Sequence, residues 1–246
     1  MHPRFFAPEA QATGELITLP EEEAEHLTRV LRLGAGAAVR VFNGSGDEFE
    51  SVVEAAAKDG VRVRLGGLRE PAPEARLQVT LAQAVLKGDK MDDVVRDAVM
   101  LGAHAIQPLV TKRSETTVAG LVRGARVERW RRVVLASAKQ SGRAVLPEVR
   151  TPLTIENYLD EPAPALRMML VEPSADEDPE PLSVLRTIPV PGDVGVMVGP
   201  EGGWTGEECG LARRSGVRLM TLGPRTLRAD AVALSALSML QFLWES

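Results

Sequence analysis

The chain has 246 residues, a formal net charge of −5, 44% apolar residues and one cysteine. That length allows a sizeable core in one large or two modest domains, while a single cysteine excludes an intramolecular disulfide and suits a reducing compartment. No run reaches the roughly eighteen apolar residues of a membrane span, and the opening MHPRFFAPEA has no apolar signal-peptide core, so no membrane association and a cytoplasmic location are expected.

Taken in chain order, the first 70 residues alternate apolar and polar positions. Stretches such as Ala38 to Phe42 and Gly60 to Leu65 read as strands with one buried face, joined through the Asn43-Gly44-Ser45-Gly46 turn. With a helix near residues 21–32, they predict a small β-barrel domain over 1–70. A proline-bearing linker, 71–75, separates it from 76–246. There the pattern alternates strand and helix: Leu77 to Ala84, Lys90 to Leu101, Ala105 to Val110, Val127 to Ser141, then Met168 to Val171 and Ser183 to Thr187. It continues with Val194 to Val198, Gly206 to Ser215, Leu219 to Leu222 and Asp230 to Trp244, the acidic stretch Ser174 to Pro181 reading as a loop. Such alternation predicts an α/β domain with a mostly parallel sheet covered on both faces. The last helix is apolar on nearly every side, through Val232, Leu234, Leu237, Met239, Leu240, Phe242, Leu243 and Trp244, which predicts burial all round.

Two loops carry the chemistry. Gly199-Pro200-Glu201-Gly202-Gly203 and Gly223-Pro224-Arg225-Thr226-Leu227-Arg228 each follow a predicted strand, and a third strand stops at Glu172-Pro173. Glycine-rich loops at adjacent strand ends build a ligand crevice, and their main chain can read a purine edge without a charged side chain. The sequence has no G-x-x-x-x-G-K-[ST], no G-x-G-x-x-G and no G-x-S-x-G, which disfavours P-loop, Rossmann and hydrolase chemistry. Cys209 and the scattered His2, His26 and His104 assemble no metal site. Metal-free, non-covalent chemistry on a neutral or cationic cofactor is what remains.

The charge is uneven. Residues 1–70 hold 8 basic and 12 acidic groups, 76–150 hold 14 and 7, and 151–246 hold 7 and 14. A basic middle third in an acidic protein argues for a polyanionic partner, because phosphate binding needs local Lys/Arg density rather than a basic whole. Arg123, Arg126, Arg129, Arg131 and Arg132 crowd one helical stretch, with Lys139 and Arg143 behind. Arg29 and Arg32, three apart, are expected on one helix face.

The string VMVGPEGGWTGEE (Val196 to Glu208), followed by LGPRTLRADAVALSALSMLQ (Leu222 to Gln241), resembles the SPOUT class of S-adenosylmethionine-dependent RNA methyltransferases. Within that class it is most similar to the RsmE family, which methylates N3 of a uridine in 16S ribosomal RNA. KGDKMDDVVRDAVMLGAHAIQPLVTKRSE, RWRRVVLASAKQSGRAVLPEV, RFF and HLTRVLRLGAG extend the resemblance over nearly the whole chain. It implies a PUA-like RNA-binding barrel, then a SPOUT α/β domain closed by a C-terminal trefoil knot, a homodimer, S-adenosyl-L-methionine as cofactor, and the small ribosomal subunit as partner. The cofactor would lie against Val171, Glu172, Gly199, Pro200, Glu201, Gly202, Gly203, Leu222, Gly223, Pro224, Leu227 and Arg228.

Methyl transfer to an imide nitrogen requires near-attack geometry and loss of the N3 proton. Arg228 is the expected catalytic cation, orienting the base and steadying charge on its carbonyl oxygens, and Glu201 the candidate for handling the proton. Alternatively, Arg228 pairs with Asp230 and Glu201 caps the helix that starts near Thr205. The matching segments add Arg4, Lys87, Lys90 and Gln140 to Arg29, Arg32, Arg129, Lys139 and Arg143 as expected RNA contacts, Lys139, Gln140 and Arg143 being candidates to serve a partner's active site. One departure stands out: where the family has a Thr-Glu-Thr-Ala run, this chain has Ala229-Asp230-Ala231-Val232, with Asp230 placed to cap the last helix. That keeps open an RNA-binding or ribosome-assembly protein without the chemistry, and a SPOUT enzyme acting on tRNA or on a ribose hydroxyl is a further alternative.

Overall fold

A computed structural model describes residues 2–57, 60–173 and 178–245. The chain divides into two compact units, Met1–Glu74 with Leu135–Leu146, and Ala75–Val134 with Pro147–Ser246.

The first unit contains β1 (Arg4–Phe6), β2 (Leu16–Thr18), α1 (Glu21–Glu25) running into a π-helical turn at His26–Val30, β3 (Ala38–Phe42), β4 (Glu48–Ala57) and β5 (Gly60–Arg69). They form a five-stranded sheet in the order β1-β3-β4-β5-β2, antiparallel except for the β1–β3 pair. Alternate residues supply the core: Phe5, Val39, Val41, Phe49, Val53, Val61, Val63 and Leu65 are buried, with Leu27 of the π turn among them. The expected turn at Asn43 joins β3 to β4, a strand that lies between the two stretches read from sequence; there the Asn43 side-chain oxygen accepts the N–H groups of Ser45 and Asp47, the Asx geometry that makes asparagine a turn former.

Three cations expected on an RNA surface are spent inside this unit. The Arg4 guanidinium meets Glu48 at 3.0 Å and donates to the carbonyls of Ala138, Lys139 and Arg143 at 2.7 to 2.9 Å. Lys139 lies 2.7 Å from Glu23 and over the Phe5 ring, and Arg143, 5% exposed, takes Glu74 at 3.1 Å. A buried cation must be paired, so these residues tie the 135–146 segment down. Arg32 has φ +54°, beyond the helical turn, and therefore does not share a helix face with Arg29, which pairs with Glu25 at 2.7 Å. Arg29, Arg32 and Gln140 are exposed.

The second unit begins with β6 (Gln78–Ala84), α2 (Lys90–Met100), β7 (Ala105–Val110), α3 (Val118–Arg123) and α4 (Arg126–Ser141), whose last residues belong to the first unit. It continues with β8 (Glu148–Val149), β9 (Leu153–Thr154), α5 (Ile155–Asp160), β10 (Leu166–Leu170), β11 (Glu180–Pro181), a 3-10 turn at Leu182–Thr187, β12 (Asp193–Val198), α6 (Gly206–Arg214), β13 (Arg218–Thr221) and α7 (Ala229–Trp244). All strand pairs are parallel, in the order β11-β13-β10-β12-β6-β7-β8, with β9 also on β7. Every residue of β10 is buried, as both-face coverage of a parallel sheet requires.

Two expectations for this second unit are corrected. Glu180 and Pro181, read as loop, add a short edge strand because Glu180 is held by Arg218 of β13 at 3.0 Å; Ser174 to Glu177 lie outside the described residues. Helix α7 is not buried all round. It packs on α2 and buries Ala233, Ala236, Leu237 and Leu240, while Leu234, Met239 and Phe242 stay exposed, Phe242 at 69%. Among the described residues no helix is long and apolar enough to cross a membrane.

Candidate active site

The adjacent strands β13, β10 and β12 end at Thr221, Leu170 and Val198, and the chain beyond each turns out over the same rim. Together with the start of α7 they line a cleft of about 500 Å³, the size of a cofactor pocket. Its lining is apolar at Leu170, Val171, Val198, Leu222, Leu227 and Val232, and carries the charged side chains of Lys90, Arg113, Glu172, Glu201, Arg225, Arg228 and Asp230.

The Gly199–Gly203 loop is held from below and from the side. The Trp204 indole N–H donates to the Leu170 carbonyl at 2.9 Å, and a Cβ built on Gly199 would lie 3.2 Å from that indole. Glycine at 199 is therefore what lets Trp204 close against the strand end. Gly203 has φ +69°, a conformation L side chains rarely adopt, and its N–H returns to the Pro200 carbonyl at 2.9 Å. Arg113 donates to the Gly202 carbonyl. Helix α6 then starts with a capping box, Thr205 accepting the Glu208 N–H and Glu208 accepting that of Thr205 at 2.8 Å. The other oxygen of Glu208, a residue 2% exposed, takes the Lys112 N–H at 2.9 Å and so joins the loop after β7 to this one.

Glu201 does not cap α6. Its Oε1 accepts the Lys87 N–H at 3.1 Å and the Lys90 ammonium at 3.0 Å, a latch between this loop and the β6–α2 loop. Burial pushes its carboxyl up, but the backbone N–H donors and the Lys90 charge outweigh that and hold it below the ordinary carboxylate value. Arg228 is the N-cap residue of α7, and its Nε and Nη2 both reach Asp230 at 3.1 Å. Asp230 sits in the first turn with its carboxylate committed to Arg228, and α7 has no side-chain cap; the capping expected of Asp230 is absent because the guanidinium claims it.

Of the residues expected at the cofactor, Val171, Glu172, Gly199, Pro200, Glu201, Gly203, Leu222, Leu227 and Arg228 line the cleft. Gly202 and the Gly223-Pro224 pair stand in its loops without lining it. Lys90 reaches the cleft; Lys87 and Arg129 are not among its lining residues, Lys87 pairing with Glu115 at 2.5 Å and Arg129 with Asp89 and Asp92 at 2.9 and 2.5 Å. Sequence reading missed Trp204, Arg113 and Arg225 as lining residues. Trp204 directly follows the GPEGG motif and Arg225 lies inside GPRTLR, so adjacency was a usable signal for both; Arg113 lies 89 positions from its partner Gly202 and offered none.

The fold and site define an RNA methyltransferase with an N-terminal PUA domain. Residues 73–241 match the family model of the RNA methyltransferase domain, and 19–66 that of the RNA methyltransferase PUA domain. The chain is 34% identical to ribosomal RNA small subunit methyltransferase E of Synechocystis over 98% of its own length and 77% of that protein. Two solved structures superpose over nearly full length. One is a methyltransferase of Legionella pneumophila in complex with S-adenosylmethionine, with TM-score 0.89, 32% identity and 98% of each chain covered. The other is ribosomal RNA small subunit methyltransferase E of Neisseria gonorrhoeae bound to S-adenosyl methionine, with TM-score 0.87, 30% identity and 99% and 98% covered. The chain belongs to the ribosomal RNA small subunit methyltransferase E family.

Proposed function

We propose that this protein transfers a methyl group from S-adenosylmethionine to N3 of a uridine in 16S rRNA of the small ribosomal subunit. The observation that carries the reading is the convergence of the GPEGG and LGPRTLR loops with the Glu172 strand end on one cleft of cofactor size. The cleft's lining suits this cofactor: apolar walls for an adenosine, main-chain groups at strand ends for its polar edge, and the carboxylate of Glu172 near a positively charged ligand. When bound, S-adenosylmethionine supplies an electrophilic methyl on a sulfonium.

The chain's own work is to hold donor and acceptor in line, keep water out, and let the uridine lose its N3 proton. In this reading Arg228, a lining residue of the cleft, orients the base, and its two hydrogen bonds to Asp230 support a fixed guanidinium plane. Glu201 carries a negative charge at neutral pH, but Lys87 and Lys90 already occupy it, so its part is to position the rim rather than to accept the proton. The exposed α7 face of Leu234, Met239 and Phe242 supports a homodimer. The trefoil thread belongs to this reading through the family to which the chain belongs. No metal is required, and the cytoplasm is the expected site of action.

A second reading, an RNA-binding or assembly protein without the chemistry, is favoured by the pairing of Arg228 with Asp230 where the family's usual run differs. Purified protein incubated with radiolabelled S-adenosylmethionine and unmodified small subunits, beside naked 16S RNA and tRNA, separates the readings. Label recovered as 3-methyluridine from the small subunit is the expected result. Label in tRNA or on a ribose hydroxyl would refute the substrate assigned here, and absence of both label and cofactor binding would favour the second reading.

A further inference from the structure

Four cations line the cleft: Lys90, Arg113, Arg225 and Arg228. Three are committed within the chain. Lys90 lies 3.0 Å from Glu201, Arg113 donates to the Gly202 carbonyl, and Arg228 holds both oxygens of Asp230. Among the described residues Arg225 is the cleft cation without an ion pair or side-chain hydrogen bond. It is exposed, it follows the Gly223-Pro224 turn, and the exposed Thr226 beside it also lines the cleft.

We infer that Arg225 is the RNA-phosphate contact at the mouth of the cleft, and that Arg228, neutralised by Asp230, adds nothing to the charge RNA meets there. The inference rests on the reading of RNA as substrate. A phosphate that approaches Arg228 also approaches a tethered carboxylate, so the pair presents no net charge to a polyanion. Arg225 presents a full one. Each phosphate a protein neutralises frees condensed counterions, so log affinity falls with log salt by a slope of about 0.7 to 0.9 per contact. A planar guanidinium beside a hydroxyl is also the donor geometry that phosphate oxygens accept.

The test is equilibrium binding of a 16S rRNA transcript over a potassium chloride series, with thermal unfolding to check that each variant is folded. R225Q, which keeps hydrogen-bond donors and loses the charge, is expected to weaken binding several-fold and to reduce the salt slope by about one contact, while R225K keeps the slope. The double variant R228Q/D230N, which removes the pair and keeps its net charge at zero, is expected to leave the slope unchanged. D230N, which frees Arg228, is expected to steepen it by about one contact. An unchanged slope in R225Q, whether or not binding weakens, or a reduced slope in R228Q/D230N, overturns the inference. The parent's own methyl transfer is scored separately: a parent that binds the transcript with a salt slope yet methylates nothing overturns the proposed activity, and the variant slopes still decide Arg225.

Discussion

Replacing Glu208 with alanine should be the most damaging single change near the cleft that touches no ligand. Its carboxylate accepts three donors, the N–H of Thr205 at 2.8 Å, the Thr205 hydroxyl at 3.0 Å and the N–H of Lys112 at 2.9 Å, in a residue 2% exposed. Alanine leaves two backbone N–H groups without partners, at roughly 1 to 3 kcal/mol each if water stays out. The hydroxyl can turn elsewhere, and the local helix-cap contribution of about 1 kcal/mol is already part of the same loss. A total near 3 kcal/mol follows, which in a chain of this length lowers the midpoint of thermal unfolding by about 6 to 12 °C. Gln at 208 keeps one acceptor oxygen and should fall between alanine and the parent. Differential scanning calorimetry of the three proteins is the assay, read beside calorimetric titration with S-adenosylmethionine. The joint of the Lys112 segment to the Gly199–Gly203 loop predicts that cofactor affinity falls with stability. A midpoint within about 2 °C of the parent, less than 1 kcal/mol in a chain this long, would refute the account of Glu208 as an unreplaced buried acceptor.

Glu201 predicts a pH signature. Its folded-state pKa lies below the ordinary 4.5, so its stabilising contribution is complete above that value and is lost as the pH falls through the folded one. The gap in unfolding midpoint between the parent and Glu201→Gln should hold steady at neutral pH and close in the acid range; a gap unchanged down the acid limb would be evidence against the Lys90 latch. For α7, Phe242→Glu puts a charge on a side chain 69% exposed in the single chain and should halve the mass seen by sedimentation equilibrium without lowering helix content. A parent that already sediments as a monomer would remove the dimer from the proposal.

The second unit was largely legible because its signals are local. β7 has the expected bounds, and α2, α4, β12, β13, α6 and α7 begin and end within a residue of their expected positions. The misses share a cause. β8, β9 and β11 are two residues each, too short to show any period, and α3 and α5 are six-residue helices marked by a threonine cap, Thr117 accepting the Gly120 N–H and Thr154 that of Asn157. The cleft loops were legible from Gly-Pro punctuation after apolar runs. Which charges are free was not: Lys139 meets Glu23 across 116 positions, and Arg143 meets Glu74 across 69. Basic residues counted along the chain as an RNA surface thus include several that the fold consumes. The same holds for α7, whose composition reports apolarity and not which side is covered.

The place of β10 bears on how the molecule is made. Leu166–Leu170, apolar except for Arg167, finds its two sheet neighbours only in residues 193–198 and 218–221, whereas β6 and β7 can pair with each other long before. Its backbone groups and buried side chains therefore wait on the last portion of the chain to be synthesised. Contacts of this kind must close loops before they are rewarded, which slows folding and leaves an adhesive segment exposed meanwhile. The strand at the centre of the cleft is not completed before β13, and lining residues from Leu222 to Val232 follow later still, so the pocket cannot exist on a nascent chain until the start of α7 has left the ribosome.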